Sequence, residues 1–411
     1  MRDTGLYERL LDVRAPWRVA GVELRVDEKE VVVRLEADQV LWGCPECGRR
    51  MHVHDRAVRR WRHLDTCQFR TILEAEVPRV KCPEHGTVTV RVPWAECRSR
   101  FTALFERLAI DVLGQCSVKV AADLLGVSWD EADGIKARAV ARGLRRKRRK
   151  AARAICIDEK AVGKGHDYVT VVTKAYGEGA CVDFIGDGRG EDALEGFWAA
   201  EGEEGRKAMR CVCMDMWRPY ISAVEENVPG AARALCHDRF HVVGAMNRAV
   251  DEVRRQEARL LGKEEARELK GARYALLYGL ENLPPKWEDR IAEMKRSKLR
   301  TARAWRLKET LREMYACANW AQARSLFETW HRDAMASRLR PVMKVARMLR
   351  NHLEGVLNFF IHRATNAYSE SLNRIIQDLI NRANGYRNRA RLKRDLFFRL
   401  GGLDLYPDLA Q

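Results

Sequence analysis

The chain has 411 residues, enough for roughly two to four domains with hydrophobic cores of their own. Hydrophobic residues make up 46% and charged residues 32%, a balance that excludes a disordered chain. The net charge of +17 favours a polyanionic partner such as nucleic acid. The start, MRDTGLYERLLDVRAPW, lacks a signal peptide's apolar core, and no run approaches the roughly 18 apolar residues of a membrane span, so we expect an intracellular protein.

Two short cysteine-containing turns in the first hundred residues predict a structural zinc site. Residues 18–42 have the Val and Leu pattern of a β-hairpin, and the turns CPEC (44–47) and CPEH (82–85) come after it. Each turn is followed by a glycine and offers two soft ligands, as a tetrahedral zinc site requires. The predicted ligands are Cys44, Cys47, Cys82 and His85, with Cys67, His52, His54 and His63 as alternatives.

The pattern becomes helical from about Phe101, and residues 117–140 resemble a helix-turn-helix. Gly126 marks the turn, and Ala132 and Ile135 lie where the second helix must pack on the first. A plain helical hairpin is the alternative. The run RGLRRKRRK at 142–150 contains no acidic residue, so it reads either as a solvated linker or as a phosphate-binding segment at a domain boundary.

Beyond the basic run, the spacing of apolar residues predicts the element order β-β-β-α-β-α-β. This is the arrangement of a ribonuclease H-like fold, in which neighbouring strands present carboxylates side by side. Asp158 interrupts the apolar strand that begins at Ala154, where a charge is costly unless it is paired or binds metal. Asp215 ends the fourth strand, and a cap on the helix that follows is the alternative role for it.

A third carboxylate is expected from a helix over residues 366–382. Leu372, Ile375, Ile376 and Leu379 form the predicted buried stripe, and Glu370 leads an amide-rich polar face. An ordinary solvent-exposed face is the alternative. Three hard-oxygen ligands, Asp158, Asp215 and Glu370, suit two Mg²⁺ or Mn²⁺ ions per active site, which can catalyse in-line phosphodiester displacement.

With these features together, the chain resembles a bacterial insertion-sequence transposase of the ISL3 family, which belongs to the DDE class. The most specific segments are IDEKAVGKGHDYVTVV, DMWRPY, HDRFHV, NAYSESLNRII and NGYRNRARLKRDLFFRL. The resemblance implies that the catalytic carboxylates are Asp158, Asp215 and Glu370. It also gives Asp238 and His241 an auxiliary role, unless Asp238 only caps the next helix and His241 packs at its base.

The expected fold is therefore α+β and multidomain. Its predicted parts are a zinc-binding β module (1–98), a helix-turn-helix with a basic linker (99–150), a ribonuclease H-like core (151–242 and 359–411) and an all-helical insertion (243–358). The resemblance implies a cytoplasmic, nucleoid-associated protein that acts on double-stranded DNA, both terminal inverted repeats and target, as a homodimer or larger assembly. The predicted DNA-binding residues are Arg145, Arg146, Lys147, Arg148, Arg149, Lys150, Arg382, Arg387, Arg389, Arg391, Lys393 and Arg394.

Two other functions are compatible with parts of this pattern. The zinc site and the helix-turn-helix alone would equally suit a DNA-binding regulator without catalysis, but the carboxylate-bearing strands argue against it. A ribonuclease H-like nuclease that cuts without joining would carry the same three acidic residues. No residue in the sequence separates cutting from strand transfer.

Overall fold

A computed structural model describes residues 3–148, 151–163, 167–176, 179–362, 367–383 and 385–408. The chain forms two compact units, one of Met1–Lys147 with Phe397–Gln411 and the other of Arg148–Leu396. Within these described ranges, every helix is too short or too polar to span a membrane.

The first unit opens with helix α1 (Asp3–Leu10) and a mixed β-sheet. Its strands are β1 (Trp17–Arg25), β2 (Glu30–Ala37), β3 (Leu41–Gly43), β4 (Arg50–Arg62), β5 (Arg70–Cys82) and β6 (Gly86–Thr89). The spatial order is β1-β2-β5-β4-β3, and β6 pairs with β5. The predicted hairpin is confirmed as the antiparallel pair β1 and β2. Sequence reasoning did not identify β4, although its side chains alternate in exposure along most of the strand.

Three helices follow: α2 (Ala103–Gln115), α3 (Val118–Leu125) and α4 (Trp129–Arg146). Gly126 ends α3 in the left-handed conformation, with φ of 61°, which a glycine adopts without steric cost. Ser128 then starts α4 with a capping box closed by Glu131. Ala132 and Ile135 are fully buried against α2 and α3, as the helix-turn-helix prediction requires.

Helix α4 continues through most of the segment that we expected to be a basic linker, because its side chains find partners on both sides. Arg142 is buried and binds Glu96 and Glu106 through its guanidinium group. Arg146 pairs with Asp404 and Asp408 of the C-terminal segment. The domain prediction grouped residues 397–408 with the catalytic core, whereas in the structure they pack in the first unit.

The second unit is built on a five-stranded sheet. Its elements in chain order are β7 (Ala154–Ala161), β8 (Tyr168–Tyr176), β9 (Gly179–Asp187), α5 (Asp192–Ala208), β10 (Cys211–Met214), α6 (Arg218–Asn227), α7 (Ala231–Ala234) and β11 (Leu235–His237). The spatial order is β11-β10-β7-β8-β9. Strands β7, β8 and β9 form an antiparallel meander, and β10 and β11 run parallel to β7. The predicted strand order along the chain is thereby confirmed, with the addition of the short α7.

Within the described residues, the regular structure after β11 consists of helices, the last of which continues into the first unit. They are α8 (Arg239–Ala258), α9 (Lys263–Gly271), α10 (Arg273–Leu277), α11 (Glu288–Arg296), α12 (Arg300–Glu313), α13 (Trp320–Ala336), α14 (Arg340–Asn351), α15 (Leu353–Leu357), α16 (Phe359–His362), α17 (Ala367–Arg382) and α18 (Arg389–Leu400). Short 3-10 turns lie at Leu280–Asn282, Pro285–Trp287 and Met314–Ala316. Helices α8 to α16 share one hydrophobic core, which includes the fully buried Trp330.

The helix predicted over 366–382 is present as α17, but its buried stripe differs in one position. Leu372, Ile376 and Leu379 are buried as expected. Ile375 is 38% exposed, and Ile380 is buried instead. The apolar face is therefore rotated slightly from the one the sequence suggested.

Candidate active site and zinc centre

The four predicted zinc ligands lie together, between the ends of β3 and β5. The ligand atoms of Cys44, Cys47, Cys82 and His85 are all within 4.8 Å of one another. Cys47 Sγ lies 3.7 Å from Cys82 Sγ, and His85 Nδ1 lies 3.5 Å from Cys82 Sγ. A tetrahedron with Zn–S bonds of about 2.3 Å has S···S edges of about 3.8 Å, so these spacings fit a zinc ion.

The backbone around these ligands has the expected tight turns. Gly48 and Gly86 have φ of 74° and 70°, and Gly48 N–H donates to the carbonyl of Cys44. The alternative ligands are elsewhere: His52 and His54 lie along β4 with exposed side chains, and Cys67 is exposed in a turn. His63 is buried, with Nδ1 2.9 Å from Thr102 Oγ1.

In the second unit, three aspartates lie at the same level on three adjacent parallel strands. Asp158 lies in β7, Asp215 follows β10 and Asp238 follows β11. Neighbouring strands of a sheet are about 4.8 Å apart, so the three carboxylates form a row along one edge. The residues before them are direct Cα partners, Ile157 with Met214 and Met214 with His237. Unlike the zinc ligands, the three do not have oxygen atoms all within 4.8 Å of one another.

His241, in the first turn of α8, faces two of these carboxylates. Its Nδ1 lies 3.3 Å from Asp215 Oδ2, and its Nε2 lies 3.8 Å from Asp238 Oδ2. The hydrogen bond with Asp215 raises the pKa of His241 to about 9, so without a metal the imidazole is protonated at neutral pH. Burial alone would raise the pKa of Asp215, but the hydrogen bond with His241 lowers it. Asp215 is therefore a charged carboxylate at neutral pH.

Backbone groups fix the orientation of the aspartates. Asp158 Oδ1 accepts from the N–H of Glu159 at 2.8 Å, and Asp215 Oδ1 accepts from the N–H of Met216 at 2.6 Å. Asp238 caps α8 by accepting from the N–H of Phe240 at 2.9 Å. The capping role considered for Asp238 is thus present, together with its contact to His241.

Glu159 belongs to the same electrostatic environment, which sequence reasoning did not foresee. Burial raises its pKa, and the negative charges of Asp158 and Asp215 raise it further. Its Oε2 is buried and has no hydrogen-bond partner among the described residues. Side chains alternate along an extended strand, so the sequence pattern alone would place Glu159 on the face opposite Asp158. The only signal for this residue in the sequence was its place next to Asp158.

The third predicted carboxylate, Glu370, is on α17, a helix that packs against β9. The side chain of Glu370 lies outside the part of the chain that the structure describes. The structure thus brings Asp158, Asp215, Asp238 and His241 together and leaves the position of the Glu370 carboxylate as a prediction.

The predicted DNA-binding residues differ in their surroundings. Arg146 pairs with Asp404 and Asp408, and Arg389 and Lys393 pair with Asp187. Lys147 and Arg394 are partly buried, and Arg149 and Lys150 lie outside the described residues. Exposed side chains are those of Arg145, Arg148, Arg382, Arg387 and Arg391.

Three family models match consecutive parts of the chain. Residues 155–396 match a model described as a transposase of the ISL3 type. Residues 41–85 match the zinc finger of transposases IS204, IS1001, IS1096 and IS1165, and residues 90–140 match the helix-turn-helix domain of transposase family ISL3. The second model spans all four zinc ligands.

Curated proteins match over nearly the whole chain. The transposase for insertion sequence element IS1557 of Mycobacterium tuberculosis is 30% identical, over 94% of this chain and 93% of the relative. The transposase for insertion sequence element IS1001 of Bordetella parapertussis is 26% identical, over 93% of this chain and 96% of the relative. The similarity therefore includes both compact units.

Proposed function

Because this chain belongs to the ISL3 family of insertion-sequence transposases, we propose that Asp158, Asp215 and Glu370 form the metal centre with which it cuts and joins DNA. The observation that carries the proposal is the row of carboxylates on β7 and β10. Two negative charges held side by side in a half-buried site repel each other unless a cation lies between them. His241 supplies a positive charge to Asp215, and a bound metal would supply more.

The donor set fits two Mg²⁺ or Mn²⁺ ions. Carboxylate oxygens are hard ligands, which these ions prefer, whereas the Cys and His set of the first unit is soft and suits zinc. Asp158, Asp215 and Glu370 would hold the ions. When bound, they supply activation of water or a DNA 3′-hydroxyl and stabilisation of the leaving oxygen.

The chain's own residues keep the site ordered. Backbone N–H groups hold one oxygen of Asp158 and one oxygen of Asp215, and these bonds orient both carboxylates. Asp238 and His241 act as auxiliary groups, since His241 contacts both Asp215 and Asp238 and so determines how the Asp215 carboxylate is turned. This is a positioning role, because neither residue has to contact DNA.

The second unit is proposed to be a ribonuclease H-like core with a helical insertion. In this core the first strand is central, the second and third lie on one side, and the fourth and fifth lie on the other, as the observed order β9-β8-β7-β10-β11 has it. Helices α8 to α16 separate the five strands from α17 in the chain, so they read as an insertion before the helix of Glu370.

DNA binding is assigned to the first unit and to exposed basic residues. The N-terminal end of α4 exposes Trp129 and the acidic Asp130, whereas its C-terminal end exposes the basic Arg145. Phosphate contacts are therefore expected at the C-terminal end of α4. Arg382, Arg387 and Arg391 are proposed to contact DNA backbone near the carboxylates. Joining two terminal repeats to a target requires two copies of the site, so we propose that the nucleoid-bound form is a dimer or larger.

The test is metal-dependent cleavage of labelled DNA that carries the element's own ends. The intact chain should cut at the repeat boundary in Mg²⁺. Asp158→Asn and Asp215→Asn should lose at least about 100-fold in rate while binding the ends with unchanged affinity. Asp289→Asn is the matched control, because Asp289 is an exposed aspartate of α11 and should cut at the normal rate.

The outcome also separates the alternatives. If Asp158→Asn or Asp215→Asn still cleaves DNA, the substituted residue is not part of the metal centre. End binding without cleavage, in both Mg²⁺ and Mn²⁺, would contradict the catalytic proposal and favour a regulator. Cleavage without transfer to target DNA would indicate a nuclease.

A further inference from the structure

Arg189, in the turn after β9, has its side chain held against two aromatic rings. The guanidinium carbon lies 4.6 Å from the ring centroid of Tyr168 and 4.7 Å from that of Trp217. The indole N–H of Trp217 also donates to the Arg189 carbonyl at 2.9 Å. Stacking on two ring faces fixes the plane of a guanidinium group and leaves the N–H donors at its rim.

This arrangement lies at the same edge of the sheet as the aspartate row. Tyr168 begins β8, Gly188 follows the end of β9 and donates its N–H to the Tyr168 carbonyl, and Trp217 is two residues after Asp215. Burial and the charges of Asp158 and Asp215 raise the pKa of Glu159, and the positive charge of Arg189 opposes that rise.

The guanidinium group of Arg189 has no acceptor within the described ranges. Other basic residues near this edge are paired: Arg389 and Lys393 with Asp187, and Arg218 with Glu225. An arginine beside several carboxylates would normally form an ion pair with one of them. The two aromatic rings instead hold this one with its donors available to a ligand.

We infer that Arg189 binds a phosphate group of the DNA strand at the active site, with Tyr168 and Trp217 holding its guanidinium plane in place. The ligand is a phosphodiester, because its oxygens match the parallel N–H donors of a guanidinium group. A phosphate that approaches the aspartate row meets negative charge, and a fixed cation at its rim offsets that repulsion. The inference rests on the proposed function, since it places DNA beside the same carboxylates.

A purely structural role would make Arg189 a clamp on the turn between β9 and α5. The two roles differ in their dependence on salt, because each neutralised phosphate releases counterions and adds about 0.9 to the slope of log affinity against log salt for duplex DNA. A structural clamp contributes nothing to this slope.

The first measurement is therefore the salt dependence of DNA binding in Mg²⁺. The full chain carries Asp158→Asn in this assay, so that the DNA is not cut. The double variant Asp158→Asn, Arg189→Gln should bind the terminal repeat about tenfold more weakly, and its slope of log affinity against log salt should be smaller by about 0.9. The matched control is Arg324→Gln, which removes the same charge from a guanidinium 4.9 Å from the Trp320 ring and paired with Glu354. The control should change neither quantity, and an unchanged slope in Arg189→Gln would overturn the inference.

The second measurement uses otherwise wild-type protein and DNA in which single phosphates are replaced by uncharged methylphosphonates. At one position near the cleavage site, the methylphosphonate should slow DNA cutting by the wild-type protein at least about tenfold. The same methylphosphonate should not slow cutting by Arg189→Gln any further. Additive effects of the two changes at every position would refute a contact.

A fold defect is separable from the loss of a contact. If Arg189→Gln lowers the melting temperature, Arg189→Lys takes its place, because it keeps the charge and loses the planar donors. Arg189→Lys should keep most of the salt dependence of DNA binding and should cut DNA at least about tenfold more slowly than the wild-type chain. Cleavage at the wild-type rate by this variant would contradict the inference. Because the binding assay needs no cleavage, a chain that binds but never cuts would refute the proposed function while the slope still decides the role of Arg189.

Discussion

A single methyl group added at Gly143 tests whether the C-terminal segment, residues 397–408, packs in the first unit. Gly143 is in α4, and a Cβ atom there would lie 2.7 Å from Leu403 Cβ and 3.1 Å from the Asp404 carbonyl oxygen. Real Cβ atoms do not approach other heavy atoms as closely as the first distance. Gly143→Ala must therefore displace the C-terminal segment, α4 or both.

The size of the effect follows from two opposing contributions. Overpacking a well-filled contact costs about 1–3 kcal/mol. Replacing glycine by alanine inside a helix otherwise stabilises it by about 1 kcal/mol. The net expectation is a loss of about 1 kcal/mol. Gly134→Ala is the matched control in the same helix, because its Cβ would meet only the flexible end of Arg138 at 3.6 Å. It should gain about 1 kcal/mol.

Hydrogen exchange of the full-length chain measures these local effects without requiring the two units to unfold together. A difference of about 2 kcal/mol between the two variants corresponds to about 30-fold in the opening equilibrium of α4. We expect faster exchange in α4 and in residues 403–408 for Gly143→Ala, and slower exchange in α4 for Gly134→Ala. If Gly143→Ala exchanges as slowly as Gly134→Ala, the packing of the C-terminal segment on α4 is refuted.

Three further changes test other parts of the structure. Cys44→Ser should remove the zinc ion and unfold the N-terminal sheet, because a structural zinc contributes its binding free energy to folding, and elemental analysis measures the loss. Lys174→Met should destabilise the second unit by about 3–5 kcal/mol, measured by thermal unfolding, since Lys174 is the buried cation between Asp183 and Glu201. Burial lowers the pKa of His63 to about 4, so the unfolded chain binds a proton that the native one excludes between pH 6.5 and 4. The free energy of unfolding should therefore fall by about 3 kcal/mol across that window as pH falls, and His63→Asn should lose this part of the pH dependence.

Each of these has a control and a contradicting result. Cys67→Ser should keep its zinc, since Cys67 lies outside the cluster, and unchanged zinc content in Cys44→Ser would refute the site. Lys207→Met removes an exposed lysine and should shift the melting temperature little. An equally steep loss of stability with falling pH in wild type and His63→Asn would show that other groups cause it.

Local chemistry was enough to predict several features from the sequence. The paired turns at Cys44 and Cys82 determine a zinc site because two ligands at short spacing already have the right geometry. Gly126 and Ser128 end and start helices through their own backbone and side-chain preferences. The apolar run before Asp158 predicts a buried strand, and the same pattern places Asp215 at the end of another.

Contacts between distant segments required the tertiary structure. The exposed pattern of β4 is a weak signal by itself, and its pairing with β5 and β3 makes it a strand. The C-terminal segment joins the first unit because Leu403 fills the space above Gly143 and Arg146 pairs with Asp404, partners more than 250 residues away in sequence. No spacing along the chain predicts such contacts.

The same division applies to the candidate active site. The residue types and their strand positions made Asp158 and Asp215 candidates, but the register of β7 with β10 brought them side by side. Arg189, Tyr168 and Trp217 come from three separate segments, and no spacing along the chain indicates that they meet. Their meeting depends on the alignment of the ends of β8, β9 and β10 at one edge of the sheet, because hydrogen-bond register between strands is a property of the folded chain and not of any segment alone.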